Sequence, residues 1–112
     1  MAVGQSPIGR GHVYLVRLDP TLGSEMKKTR PCVIVSPDEL NQHLRTVIVA
    51  PMTTGGRAYP WRPRCHFQGR AGFVALDQLR TVDAERLLKS LGHLDSQNVL
   101  TVLRTLREMF AP

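Results

Sequence analysis

The stretch EMKKTRPCVIVSP, residues 25–37, changes character at a single proline. Before Pro31 it is cationic, with Lys27, Lys28 and Arg30; after it, Cys32, Val33, Ile34 and Val35 run on without a polar break. A short continuous run of this kind reads as a strand with both faces buried. Proline suits the first position of such a strand, where its missing N–H costs no ladder bond. It also biases Arg30 away from the helical region, which holds that guanidinium at the rim of a sheet. Ser36 and Pro37 end the run.

The same reading extends outward. TVIVAP (46–51) is a second β-branched run, and HVYLVRL (12–18) a loosely alternating one. Between strands one and two lies the polar loop DPTLGSEMKKT (19–29). PDELNQH (37–43) is one turn of helix or a polar loop. A second long loop, MTTGGRAYPWRP (52–63), leads to the strands RCHFQ (64–68) and GFVAL (72–76), joined by residues 69–71. DQLRTVDAERL (77–87) is ambiguous, with Asp83 able to cap a short helix over 84–87. LKSLGHL (88–94) reads as a last strand. The tail reads as an amphipathic helix with Val99, Leu103, Leu106 and Phe110 on one face and Asp95 or Ser96 as cap. No helix separates the first three strands, so parallel βαβ units are disfavoured. The expectation is one mainly β domain over residues 1–112. It is a strongly curved antiparallel sheet or partly open barrel closed by a C-terminal α-helix, with 1–10 frayed.

Composition fits this picture. The 112 residues suit one core, and 42% hydrophobic with 21% charged residues is a globular balance. A net charge of +6 favours a polyanionic partner, although many small proteins are basic for solubility alone. Cys32 and Cys65 form no CxxC pair, and the histidines His12, His43, His66 and His93 are scattered, so no metal or cofactor is expected. No stretch approaches the roughly 20 apolar residues of a membrane span, and the first residues lack the apolar core of a signal peptide. A cytoplasmic protein without membrane contact is the expectation.

Chain order then brings candidate chemistry together. If strands two and three form a meander through 37–45, the start of one lies beside the end of the other. Arg30 then meets Thr53, with Thr54 adjacent. A guanidinium fork beside a hydroxyl is a phosphate receptor. Arginine can stabilise charge on the nonbridging oxygens of a phosphorane, and threonine can add a hydrogen bond. Lys27, Lys28, Arg57, Arg62 and Arg64 would track a nucleic-acid backbone. Tyr59, Trp61 and Tyr14 offer faces for unstacked bases. A surface Arg30 paired with Glu25, and a β-turn lip at Thr53, are equally compatible with these residues.

VYLVRLDPTLGSEMKKTRPCVIVS (13–36), VIVAPMTT (47–54) and GFVALDQLRTVD (72–83) resemble the MazF/PemK family of bacterial toxin endoribonucleases. The resemblance carries on Asp19-Pro20-Thr21, Gly23-Ser24-Glu25, Arg30-Pro31 and Asp77-Gln78 with Arg80. It implies an SH3-like barrel of the CcdB/PemK type acting as a homodimer. It also implies metal-independent, sequence-specific cleavage of single-stranded RNA by 2′-hydroxyl attack, which leaves a 2′,3′-cyclic phosphate and a 5′-hydroxyl. The implied partner is a cognate MazE-like antitoxin whose acidic C-terminal segment blocks the RNA groove and displaces the mobile 19–29 loop.

The family's catalytic arginine and threonine fall on Arg30 and Thr53. Glu25 and Asp77 are supporting candidates, and Lys27, Lys28, Thr54, Arg57, Tyr59, Trp61 and Arg80 are candidates for RNA contact. One departure bears on Asp77. In the PemK branch an arginine stands two positions before it and shares the catalysis, whereas this chain has Ala75, which favours a structural role for the aspartate. A protein-binding toxin of the gyrase-poison type and a plain nucleic-acid-binding barrel are the alternative functions.

Overall fold

The computed structural model describes residues 7–112. Seven strands form one curled antiparallel sheet: β1 (His12–Arg17), β2 (Thr29–Ile34), β3 (Thr46–Thr53), β4 (Arg64–Phe67), β5 (Arg70–Val74), β6 (Arg80–Asp83) and β7 (Leu87–His93). Two helices accompany them, α1 (Asp38–His43) and α2 (Ser96–Met109). The path through the sheet is β4-β5-β3-β2-β1-β7, with β6 also paired to β3. β3 is therefore a forked strand. One edge binds β2, while the other binds β6 along its first half and β5 at its end.

Both faces of the central strands are buried, as the continuous apolar runs require. Tyr14, Val16, Cys32, Ile34, Val47 and Val49 point into one cluster, closed by Ile8, Val82 and Leu87. Val13, Val33, Val35, Ala50 and Met52 point into the other, closed by Cys65, Val74 and Val102 with Val99 and Leu106 of α2. The Asp95 side chain caps α2 by accepting from the Asn98 N–H at 2.8 Å. The two cysteines are free and buried, one in each cluster. Among the described residues, no helix is long and apolar enough to cross a membrane.

Several sequence expectations change. Of the two readings of 37–43 the helical turn holds, as α1 (Asp38–His43), whose buried Asn41 donates to the Ser36 carbonyl at 3.1 Å. The turn between β4 and β5 is only Gln68 and Gly69, both at positive φ, so the second strand begins at Arg70 and ends at Val74. Mirror-image turns of this kind match the strand twist of a two-residue hairpin. The ambiguous 77–87 segment resolves into a 3₁₀ turn Leu76–Gln78, then β6, then a second 3₁₀ turn Ala84–Arg86 capped by Asp83. Tyr14 is 3% exposed, so it offers no face to a base; burial also pushes its hydroxyl pKa up. Part of the 1–10 segment expected to fray is held in place. Ile8 is buried and Arg10 donates to the Val35 carbonyl at 2.9 Å and to Asp38 from its backbone; residues 1–6 lie outside the described residues.

Candidate active site

The β2–β3 register pairs Cys32 with Pro51 and Ile34 with Val49. Continued by two residues, it sets Arg30 across from Thr53, the juxtaposition read from chain order. Both residues line a cleft of about 430 Å³ with Thr54, Arg70, Gln68, Gly72, Met52, Cys65 and Phe67. Among the described residues no carboxylate and no histidine lines it. Two arginines thus face an apolar floor with no counter-ion in the cleft, a setting that attracts an anion.

Arg30 is half-buried, and its Nε is buried without a hydrogen-bond partner. Orphaned buried donors are rare in folded proteins and call for an explanation. Arg80 approaches from β6: its Nη1 donates to the Leu18 carbonyl at 3.0 Å. Cys32 feels both cations. Burial pushes its thiol up to about 12, and Arg30 and Arg80 pull weakly the other way.

Thr53 is positioned by a close strand approach. A Cβ on Gly72 would overlap the Thr53 carbonyl oxygen, so only glycine lets β5 sit this near. The Thr53 hydroxyl itself accepts from the Gly55 N–H at 3.1 Å and donates to the Gly55 carbonyl at 3.2 Å. That is the turn-lip geometry. To serve a phosphate, the hydroxyl proton must leave the Gly55 carbonyl.

The remaining candidates separate into groups. Glu25 does not reach Arg30: its carboxylate accepts from the Leu22 N–H of its own loop. It lines a second cavity of about 200 Å³ with Asp77, Gln78 and Arg80. Asp77 is engaged by Arg62 through two contacts of 2.8 Å, which hold its carboxyl below the usual carboxylate range and raise the Arg62 guanidinium. Gln78, its neighbour, accepts from the Met26 N–H at 3.1 Å. Adjacent residues of one turn therefore fasten the two long loops. Tyr59 and Trp61 are stacked, with centroids 5.1 Å apart and planes 7° apart. Lys27, Lys28, Thr54 and Arg57 are exposed on the two loops. Arg64 lies over Phe73, 5.4 Å from the ring centroid.

Sequence reasoning missed Arg70, Gly72 and the Arg62–Asp77 pair. The Gln-Gly dipeptide marks the hairpin turn that delivers Arg70 to the cleft. Nothing local marks a contact between residues 15 positions apart. Among the described residues, no group of three or more His, Cys, Asp or Glu side chains gathers as metal ligands.

The profile of the PemK-like, MazF-like toxins of type II toxin–antitoxin systems matches residues 9–110. The chain is similar to the endoribonuclease PemK of Escherichia coli, 37% identical over 93 residues; the match covers 70% of this chain and spans 63% of that protein's length. Among solved structures it is similar to MazF from Deinococcus radiodurans, with a TM-score of 0.82 at 22% identity, covering 94% of this chain and 97% of that one. It is also similar to a mycobacterial endoribonuclease solved with its cognate antitoxin, with a TM-score of 0.78 at 24% identity, covering 93% and 96%. At such identities the two structures speak for the mainly β fold with its terminal helix. The family profile, covering nearly the whole sequence, shows that this chain belongs to the PemK-like, MazF-like toxins of type II toxin–antitoxin systems.

Proposed function

We propose that the chain is an endoribonuclease toxin that cuts single-stranded RNA at the Arg30–Thr53 rim, inhibiting translation and growth until a cognate antitoxin binds it. The observation that carries this reading is the buried, unpartnered Nε of Arg30 at a cleft with no carboxylate. Such a donor is made whole by a phosphate oxygen. The kinship with a protein named endoribonuclease PemK, and the antitoxin bound to a structural neighbour, support the same reading.

The chemistry follows from the groups present. The 2′-oxygen of one nucleotide bonds to the adjacent phosphorus and loses its proton. The bond from phosphorus to the 5′-oxygen breaks, and that oxygen takes up a proton. The products are a 2′,3′-cyclic phosphate and a 5′-hydroxyl. Arg30 stabilises charge on the nonbridging oxygens, and Thr53 adds a hydrogen bond once its proton turns from Gly55. The charge is met by arginine, and the reaction is metal-independent. Asp77 is committed to Arg62 and the Glu25 carboxylate to its own loop, so neither lines the cleft where the phosphate would sit. Lys27, Lys28, Thr54, Arg57 and Arg80 track the strand, with Arg70 added from β5. The working form is a homodimer in the cytoplasm, and the antitoxin's acidic segment competes for the same cationic surface.

Purified protein incubated with mixed-sequence RNA and EDTA tests this directly. Fragments with cyclic-phosphate ends are expected, and Arg30→Ala should reduce their formation by on the order of 10²–10³. RNA left intact at enzyme excess would refute the nuclease. Salt-sensitive RNA binding without cleavage would mark a plain binding barrel.

A further inference from the structure

The stacked rings of Tyr59 and Trp61 remain 37% and 40% exposed, although an aromatic pair normally gains by full burial. They are nevertheless not loose. The Arg62 N–H donates to the Tyr59 carbonyl at 2.9 Å, and the Leu76 N–H to the Trp61 carbonyl at 3.3 Å. Pro60 and Pro63 fix the backbone on either side. The Arg62 guanidinium lies 5.8 Å from the Tyr59 ring centroid and grips Asp77 with two prongs. Asp77 in turn sits in the 3₁₀ turn that follows β5, the strand paired with Thr53. A rigid chain of contacts therefore runs from the candidate phosphate site to an open aromatic face.

We propose that Asp77 is a positioning residue, which through Arg62 holds the Tyr59–Trp61 stack as a platform for one unstacked base of the RNA beside the scissile phosphate. The step rests on the RNA reading above. The platform takes any base by its flat face, because every nucleobase has one. Sequence discrimination must come from other loop groups. Asp77 then needs no proton-transfer role. With Arg62 bound to both of its oxygens, it is a poor base, and Ala75 supplies no second arginine to share the chemistry.

Trp61 is the only tryptophan, so its emission reports the platform. The probe is a short mixed-sequence 2′-O-methyl RNA, which lacks the attacking hydroxyl and cannot be cut. Saturable quenching of Trp61 is expected with the native protein. Asp77→Ala should lose the quenching and bind the probe roughly tenfold more weakly, within the range of one stacked base. With cleavable RNA it should raise KM while kcat stays within a few-fold, and Asp77→Glu should restore part of the loss. Arg62→Lys keeps the charge but loses the two-pronged contact, so it should behave like Asp77→Ala and carries the test if that variant fails to fold. Native quenching in Asp77→Ala, or a fall in kcat at constant KM with loss of the acidic limb of the pH profile, would overturn the proposal. Cleavage by the native protein without any quenching would also overturn it and leave the nuclease standing. Quenching without cleavage would do the reverse.

Discussion

Replacing Arg30 by methionine should make the protein more stable and less active. Methionine has comparable reach and no N–H, so it removes the orphaned donor without emptying the space. Leaving a buried donor unpaired costs about 1–3 kcal/mol. Arg30 is only half-buried, so the low end of that range, about 1 kcal/mol, applies. Unfolding entropy near 60 °C is about 2.1 cal/mol/K per residue, giving about 0.24 kcal/mol/K for 112 residues. The melting midpoint in chloride buffer should therefore rise by about 4 °C. The native protein should recover the same stability from an anion. At ten times its Kd, bound phosphate adds RT ln 11, about 1.4 kcal/mol or about 6 °C. Phosphate also stabilises proteins by exclusion from their surfaces, an effect that both proteins share, so the difference between them isolates the site. Scanning calorimetry of both proteins in chloride and in phosphate gives all four midpoints. An Arg30→Met protein that melts several degrees below the native one, or that gains as much from phosphate, would refute the idea of a donor held open for an anion.

Gly72→Ala should displace the Thr53 carbonyl and lower cleavage at least tenfold by the logic that small misplacements at a reacting centre are costly, while Gly69→Ala, in open space at the turn, should spare the cleavage rate and lower only stability. Trp61 emission should hold steady as pH falls from 7 to about 4.5 and change only below that. The Asp77 carboxyl is lowered in the fold by Arg62, so its stabilisation is complete above the ordinary carboxylate pKa and disappears as pH drops through the depressed one. Emission that changes near pH 6 would refute that pairing. At pH 8, iodoacetamide should leave Cys32 unlabelled in the folded protein, because its thiol is buried and pushed up to about 12; mass spectrometry showing rapid native labelling there would contradict the burial.

The legible part of this protein was the part governed by neighbours along the chain. The runs at Cys32 and Val47 announce strands with two buried faces, and the structure divides their side chains between two clusters. Proline sterics and a simple meander were enough to set Arg30 against Thr53, because an antiparallel register is fixed by the turn that joins the strands. The illegible part depends on contacts between distant segments. β6 has only Val82 buried among four residues, too weak an alternation to separate from a short helix. Tyr14 reads equally well as a stacking face or as core until β1 is given neighbours on both edges. Glu25 is close to Arg30 in sequence, yet its carboxylate turns back to its own loop. Ala75 already favours a structural role for Asp77, but nothing along the chain names Arg62 as the partner that takes up its oxygens.

That pair of adjacent residues has a mechanical consequence. Asp77 holds the β3–β4 loop through Arg62, and Gln78 holds the β1–β2 loop through the Met26 N–H. The two loops are thus levers on a common pivot one peptide bond wide. A protein that prised the β1–β2 loop from Gln78 would load the turn and shift the aromatic rings on the far side, silencing base capture without touching the phosphate site. Inhibition from a distance would then begin with the release of the hydrogen bond from the Met26 N–H to the Gln78 side chain.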